Sequence, residues 1–367
     1  MRRLALLVAC SGCQLYFGDH GGPPPDARAA LPDASIVDGP PANELALPCI
    51  HAVAANVVVD ASAVIAYSCT GGSILADLAY QSGALATVDP RADWGYQFAS
   101  FRPANIDGYP PLDMLAFPSS GPFYGTSFFD MSTGGRDFAS ISGTQEFVDA
   151  DTGDLDGDGT LDLVLAGGSG LGAILDDANL TDGFESTTEV PLASGAFSHV
   201  AIAGSMVFYV ATAADGSLQL GTATRTSTQP LAYTLATAAT APAGTVLPLL
   251  VADLDGDGQP DVVGGVPNVF MWLSSTQSVS MFADQSAKAI AVGDLGAGNS
   301  IVFAPTDGSG LRRVDVSLMS PVTVSHWTDD DADLIQLADV DGDGTLDAIL
   351  VHDLNQPTST ITVHFSP

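Results

Sequence analysis

GDLDGDGTLDLVL at 153–165 recurs without gaps as ADLDGDGQPDVVG at 252–264 and as ADVDGDGTLDAIL at 338–350. In each copy, acids occupy loop positions one, three, five and nine. They are Asp154, Asp156, Asp158 and Asp162; Asp253, Asp255, Asp257 and Asp261; and Asp339, Asp341, Asp343 and Asp347. Glycines at positions four and six let the backbone turn tightly, and the carbonyls of Thr160, Gln259 and Thr345 at position seven can add an oxygen. A donor set made only of oxygens and rich in carboxylates suits a hard cation with six to eight ligands, which favours Ca2+ over the smaller Mg2+. Two carboxylates about 4 Å apart repel by about 4 kcal/mol at an effective dielectric near 20, so an empty loop of this kind is expected to open.

Weaker copies become visible around these three. NIDGYPPLDMLAF from Asn105 keeps oxygen donors in Asn105, Asp107 and Asp113, which makes a fourth site conceivable there; GDLGAGNSIVF from Gly293 keeps Asp294 alone. HVAIAGSMVFYVA from His199 has apolar flanks with the loop cut to a turn at Gly204. First loop residues at 105, 154, about 204, 253, 294 and 339 give spacings of 49, about 50, about 49, 41 and 45. One period back lies VAANVVVDASAVIAYSC at 53–69, again two apolar runs around a break, which makes seven units. Each unit has short apolar runs broken by Gly, Ser, Thr and Asn, so the pattern predicts an all-β chain with about four strands per unit, the size of a propeller blade.

An EF-hand shares the early aspartates, but loop position twelve holds Leu165, Gly264 and Leu350 in place of a bidentate Glu, and the flanks are not helical in pattern. The complete loops and their flanking strands resemble FG-GAP (VCBS-type) repeats, which build the seven-bladed propeller of integrin α subunits and of many bacterial exported proteins. The resemblance covers about residues 45–367 and implies calcium in the loop between the first two strands of a blade. The last unit, from about Asp333, is one strand short, and Glu44–Ile50 is the natural donor to complete it.

The 367 residues carry 10 Lys and Arg against 43 Asp and Glu, a net charge of −33 that repels phosphate backbones and argues against nucleic-acid binding. With 46% hydrophobic and 14% charged residues, the chain has enough apolar material for a core. MRRLALLVACSGCQ at the start reads as an export signal; Leu7-Val8-Ala9-Cys10 resembles a lipoprotein lipobox, with Cys13 as the other acceptor and a plain cleaved signal as the other reading. The expected domains are residues 1–13 as signal peptide and lipobox, 14–43 as a Pro/Gly/Asp-rich tether, and 44–367 as the propeller. Cys49 and Cys69 then remain as an even pair in an exported chain, read as a disulfide, with two buried free thiols as the alternative.

Catalytic patterns are missing from the sequence: the six histidines fall in no HExxH, and no serine sits in a GxSxG elbow. The run Asp329, Asp330, Asp331 and Asp333 reads as a solvated turn in preference to another cage. These readings lead to a monomeric, non-catalytic, calcium-stabilised binding or adhesion scaffold of the cell envelope that contacts a protein or a glycan. It is expected on the outer membrane or cell surface, or else periplasmic or secreted, touching the membrane only through a lipid anchor. The alternative is an exported carbohydrate-active enzyme or lectin-like propeller.

Overall fold

The structure, a computed structural model, describes residues 44–47, 51–59, 62–69, 72–81, 84–93, 98–104, 113–118, 125–130, 137–142, 147–175, 189–228, 231–244, 246–296, 298–317, 320–341, 343–354 and 359–365. Among them all regular structure is β, and every strand pairing is antiparallel. No helix among the described residues is long and apolar enough to cross a membrane.

Strand β1 (Glu44–Leu47) stands apart from its neighbours in sequence. The first sheet contains β2 (His51–Val59), β3 (Ser62–Cys69), β4 (Gly72–Gln81) and β5 (Ala84–Asp93); the second contains β6 (Phe98–Ala104), β7 (Asp113–Pro118), β8 (Gly125–Asp130) and β9 (Asp137–Ser142). The third has β10 (Phe147–Gly153), β11 (Asp162–Gly167), β12 (Gly170–Ile174) and β13 (Glu189–Ser194), and the fourth β14 (Ala196–Ala203), β15 (Met206–Thr212), β16 (Leu218–Thr228) and β17 (Leu231–Ala241).

A seven-stranded sheet follows, made of β18 (Leu247–Ala252), β19 (Asp261–Val266), β20 (Asn268–Leu273), β21 (Ser278–Asp294), β22 (Asn299–Pro305), β23 (Leu311–Ser317) and β24 (Ser320–Thr328). It is two four-strand units sharing one strand, because the first part of β21 pairs with β20 and the part from Ala287 onward pairs with β22. Finally β25 (Leu334–Ala338), β26 (Asp347–His352) and β27 (Ser359–His364) are completed by β1, with Glu44 opposite Thr362 and Leu47 opposite Ser359. The segment after the expected tether thus supplies the strand that the short last unit lacks.

Successive units touch through their first strands. β2 lies against β6, β6 against β10, β10 against β14, β14 against β18, β18 against β21, β21 against β25, and β25 against β2, so the series of contacts returns to its start. The two-residue periodicity of the second strands explains how neighbouring sheets share a core. In β11, Leu163 and Leu165 join Leu115, Phe117 and Phe147 on one side, while Val164 and Ala166 join Val200, Ile202 and Val207 on the other. In β26, Ala348 and Leu350 pack with Ile335 and Leu337, while Ile349 and Val351 pack with Leu78, Leu85 and Leu47. A strand buried on both faces has no polar alternation, which accounts for the unbroken apolar runs after each acidic loop.

First strands leave one hydrogen-bonding edge without a strand partner, and charged side chains fill it at one seam. Asp149 Oδ2 accepts the Val200 N–H at 2.9 Å, and Asp151 Oδ2 accepts the Ile202 N–H at 2.7 Å, so β10 holds the free edge of β14. Arg102, on β6, donates through Nη1 to both Asp149 oxygens at 2.8 Å and to the Val200 carbonyl at 2.9 Å. Its Nη2 donates to the Leu249 carbonyl of β18 at 3.2 Å and lies 3.5 Å from Asp151 Oδ2. One guanidinium therefore ties four first strands together. Burial pushes the Asp151 carboxyl up, with Arg102 and the Ile202 N–H pulling it back and Asp149 adding to the rise.

Removing one member of a buried charged network leaves the others uncompensated. Arg102→Leu is expected to cost about 3–5 kcal/mol of stability, read by denaturant unfolding, and a cost below about 1 kcal/mol, the level of an exposed pair, would contradict the stitching role.

Candidate metal centres

Each complete loop joins the first strand of its sheet to the second: β10 to β11, β18 to β19, and β25 to β26. The ninth-position aspartate opens the second strand and reaches back over the loop. Asp162 Oδ2 accepts the N–H groups of Leu155 at 2.7 Å and Asp156 at 3.3 Å; Asp261 Oδ2 accepts that of Leu254 at 2.8 Å, and Asp347 Oδ2 that of Val340 at 2.9 Å. First-position aspartates fold the middle of the loop. Asp253 accepts the N–H groups of Gly256 at 2.8 Å and Gly258 at 2.9 Å, Asp154 those of Gly157 and Gly159, and Asp339 those of Asp343 and Gly344. Gly157 and Gly159 sit at φ +87° and +91°, a conformation that L side chains resist, and Gly256, Gly258 and Gly344 repeat it.

This folding gathers three carboxylates per loop. Asp154, Asp156 and Asp162 offer oxygens that all lie within 4.8 Å of one another, as do Asp253, Asp255 and Asp261, and Asp339, Asp341 and Asp347. The position-nine members are 0%, 0% and 1% exposed, so one wall of each group is dry. The fifth-position acids Asp158, Asp257 and Asp343 are not in these groups. Each instead accepts the N–H two residues on, from Thr160, Gln259 and Thr345, in an Asx turn. The Thr160 hydroxyl and N–H hold the Asp158 carboxyl below its usual range, whereas burial pushes Asp261 up against the N–H bonds from Ser274 and Leu254.

Neighbouring elements fix the loops. The second loop position is apolar and buried in each, at Leu155, Leu254 and Val340, which pins the loop into the core. The Leu155 carbonyl accepts Arg225 Nη1 at 2.8 Å and the Tyr233 hydroxyl at 3.0 Å, both from the fourth sheet, and Asn299 Nδ2 donates to the Asp253 carbonyl at 2.6 Å. Tyr233 is pushed up to about 12, chiefly by burial, with Arg225 opposing and Asp162, Asp154 and Asp156 adding. In the second loop, Ser275 Oγ donates to Asp255 Oδ2 at 2.7 Å and the Ser274 N–H to Asp261 Oδ1 at 2.7 Å. Three carboxylates, no nitrogen or sulfur donor in the group, and a half-buried setting fit a hard divalent cation such as Ca2+ and not a soft transition metal.

The degenerate loop at Asp294 keeps the fold without the charge. Asp294 Oδ1 accepts the N–H groups of Gly296 at 2.8 Å and Gly298 at 2.9 Å, those glycines have φ of +90° and +99°, and Leu295 is buried, yet no second acid joins it. Main-chain bonds therefore suffice for the turn. The copy at Gly204 is a two-residue hairpin between Ala203 and Met206. The run from Asp329 to Asp333 meets side chains of the protein: Lys288 Nζ lies 2.8 Å from Asp331 and 3.0 Å from Asp333, His326 meets Asp329, and His364 meets Asp330.

Asn105 and Asp107 lie outside the described residues, as do Cys10, Cys13 and Cys49. Asp113 opens β7 and Cys69 ends β3, but the side chains of both are also outside them, so the expected fourth loop, disulfide and lipid anchor lie outside the described residues. The sequence reading missed Arg102, Asp149 and Asp151. Its one signal was a pair of acids at i, i+2 inside an apolar stretch, hence on one face of a strand.

No protein-family model matches the chain, and no curated protein does. Among solved structures it is similar to the β-propeller domain of Cps50 (Swd1) from Myceliophteria thermophila, at 9% identity and a TM-score of 0.48, over 83% of this chain and 93% of that one.

Tb3+ can stand in for Ca2+ and is excited through nearby aromatic rings, and Tyr233 stands against the first loop. Asp156→Asn is expected to weaken the Tyr233-sensitised terbium signal by about tenfold in affinity, equivalent to about 1.4 kcal/mol, whereas Asp158→Asn, outside the carboxylate group, weakens it less. Equal losses from the two variants would contradict the three-carboxylate grouping.

Proposed function

We propose that residues 44–367 form a seven-bladed, FG-GAP-like (VCBS-type) β-propeller whose three complete loops bind Ca2+. The chain would then act as an exported, non-catalytic scaffold of the cell envelope that holds a protein or glycan ligand. The observation that carries this reading is the repetition of one carboxylate group at one topological place, between the first and second strands of three different sheets. A merely acidic surface has no reason to place a dry, main-chain-bonded aspartate at the ninth position each time. The series of first-strand contacts that returns to β2, and the donation of β1 to the last sheet, support a closed ring.

Asp154, Asp156 and Asp162, and their counterparts in the other two loops, would hold the ion. The ion supplies positive charge that offsets the repulsion among them, which stiffens the loop and the two strands it joins. Among the described residues, three of the histidines that could do acid–base chemistry are buried or paired. His199 is pushed down by burial, against Asp149, and His326 and His364 are paired with aspartates. The remaining acids of β10 are committed to Arg102. This favours a binding surface over a reaction centre, and the leader and tether of the sequence favour display outside the cytoplasm.

Ligands that bind only the folded state stabilise it by about 2.7 kcal/mol per site at a hundredfold excess over Kd. EDTA is therefore expected to lower the melting temperature by several degrees, and calcium to restore it. An unchanged transition would count against structural calcium. Against a panel of polysaccharides, the scaffold reading predicts retention of one or more members without release of reducing ends or unsaturated products; turnover of any member would refute it.

A further inference from the structure

Residues 216–252 hold none of the chain's 43 acids, and Arg225 is their sole charge. That stretch of the fourth sheet therefore offers it no counter-ion. On β16 it lies opposite Tyr233 of β17, and a register shift follows it before Ser227, a bulge of the kind that re-aims a side chain. Both side chains leave their own sheet and reach the first acidic loop of the third. Arg225 Nη1 donates to the Leu155 carbonyl at 2.8 Å, and the Tyr233 hydroxyl donates to the same oxygen at 3.0 Å.

The guanidinium also covers the middle of the loop. A Cβ on Gly157 would stand 3.1 Å from both Nη1 and Nη2, so the group occupies the space that a side chain at loop position four would need. Leu155 and Gly157 flank Asp156, one of the three gathered carboxylates, and the positive charge thus lies along the segment that carries it. Among the described residues Arg225 nevertheless makes no ion pair, because its bond goes to a carbonyl. A half-buried cation that no carboxylate neutralises acts on whatever charge the loop holds.

We propose that Arg225 is a built-in counter-cation of the first loop, which offsets its carboxylates when no ion is bound and sets its affinity for Ca2+ below that of the second loop. This rests on the reading of the loops as calcium sites and adds to it a residue that regulates one of them.

The second loop shows the same fastening without the charge. Its donor from the following unit is neutral, Asn299 Nδ2 to the Asp253 carbonyl at 2.6 Å. Ser275 Oγ donates to Asp255 Oδ2 and the Ser274 N–H to Asp261 Oδ1, both at 2.7 Å. Asp255 is 7% exposed, whereas its counterpart Asp156 is half-buried, so water screens the second group less. Neutral donors orient carboxylates without opposing a divalent ion. Arg225 fastens the first loop equally well and does oppose one. As calcium falls, the first loop therefore empties before the second, and Arg225 and Tyr233 keep it folded.

Calcium titration of the metal-stripped protein by calorimetry tests this, with Asp162→Asn and Asp261→Asn assigning the phases. The first loop is expected to be the weaker of the two. Arg225→Gln removes the charge and is expected to tighten the first loop about tenfold, equivalent to about 1.4 kcal/mol, leaving the second unchanged. Arg225→Lys keeps the charge and is expected to bind as its parent does, which a role in shape alone would not produce. The gain in Arg225→Gln should shrink as NaCl rises, since salt screens a partly exposed charge. Without metal, Arg225→Gln is expected to melt below Arg225→Lys, because the loop has lost its offsetting charge. Calcium uptake by none of the loops would overturn the calcium reading and this proposal with it. If the loops do bind, a first loop as tight as the second, an Arg225→Gln variant with unchanged or weaker binding there, or an equal gain in Arg225→Lys would overturn the proposal alone.

Discussion

Three carboxylates held with their oxygens within 4.8 Å of one another are the constraint on which the architecture turns. At that separation each pair of charges repels by about 3 kcal/mol at an effective dielectric near 20, and the groups recur in three loops. The loops are nonetheless folded by main-chain bonds to the first- and ninth-position aspartates, with a buried Leu or Val at the second position as anchor. The Asp294 loop makes the separation of roles plain: it has the same glycine conformations and the same kind of anchor, at Leu295, with one acid. Turn shape and charge are thus distinct properties of the repeat, and the charge, which shape does not need, is what points to a cation.

A ring of small sheets must also deal with its edges, and this chain uses a different device at each. Where first strands meet, Asp149, Asp151 and Arg102 fill the main-chain donors and acceptors of β14 and β18. At the junction of first and last units, β1 completes a sheet that β25–β27 leave short, and Leu47 joins a core shared with Leu78 and Leu85. Between the fifth and sixth units no break is made at all, since β21 runs from one into the other. On outer edges, β1 carries Glu44, β13 carries Glu189 and Pro191, and β17 carries a bulge at Ala238.

Much of this was legible in the residues because the repeat is strict. Identical spacing at 154, 253 and 339 placed three loops between first and second strands, and the short final unit pointed to Glu44–Ile50 as the missing strand, of which Glu44–Leu47 pairs with β27. The fifth-position aspartates were less legible. Spacing counts them as ligands, but an Asp two residues before an N–H in a tight turn bonds its own backbone, as Asp158 does with Thr160. The Arg102 network was not legible, because its partners lie 47, 98 and 147 residues away and no local pattern encodes such distances. Nor was the single strand through β21: the repeat implies a break between the two units, but no Gly or Pro occurs from Ser278 to Val292 to make one.

The most direct test of the central claim is the calcium stoichiometry of metal-stripped protein, measured by isothermal titration calorimetry. The account predicts three equivalents per chain, with a fourth only if the Asn105 loop also binds. It further predicts that Asn at positions 162, 261 and 347 together leaves at most that one. A stripped protein that takes up no calcium, or a triple variant that binds as much as its parent, would contradict it.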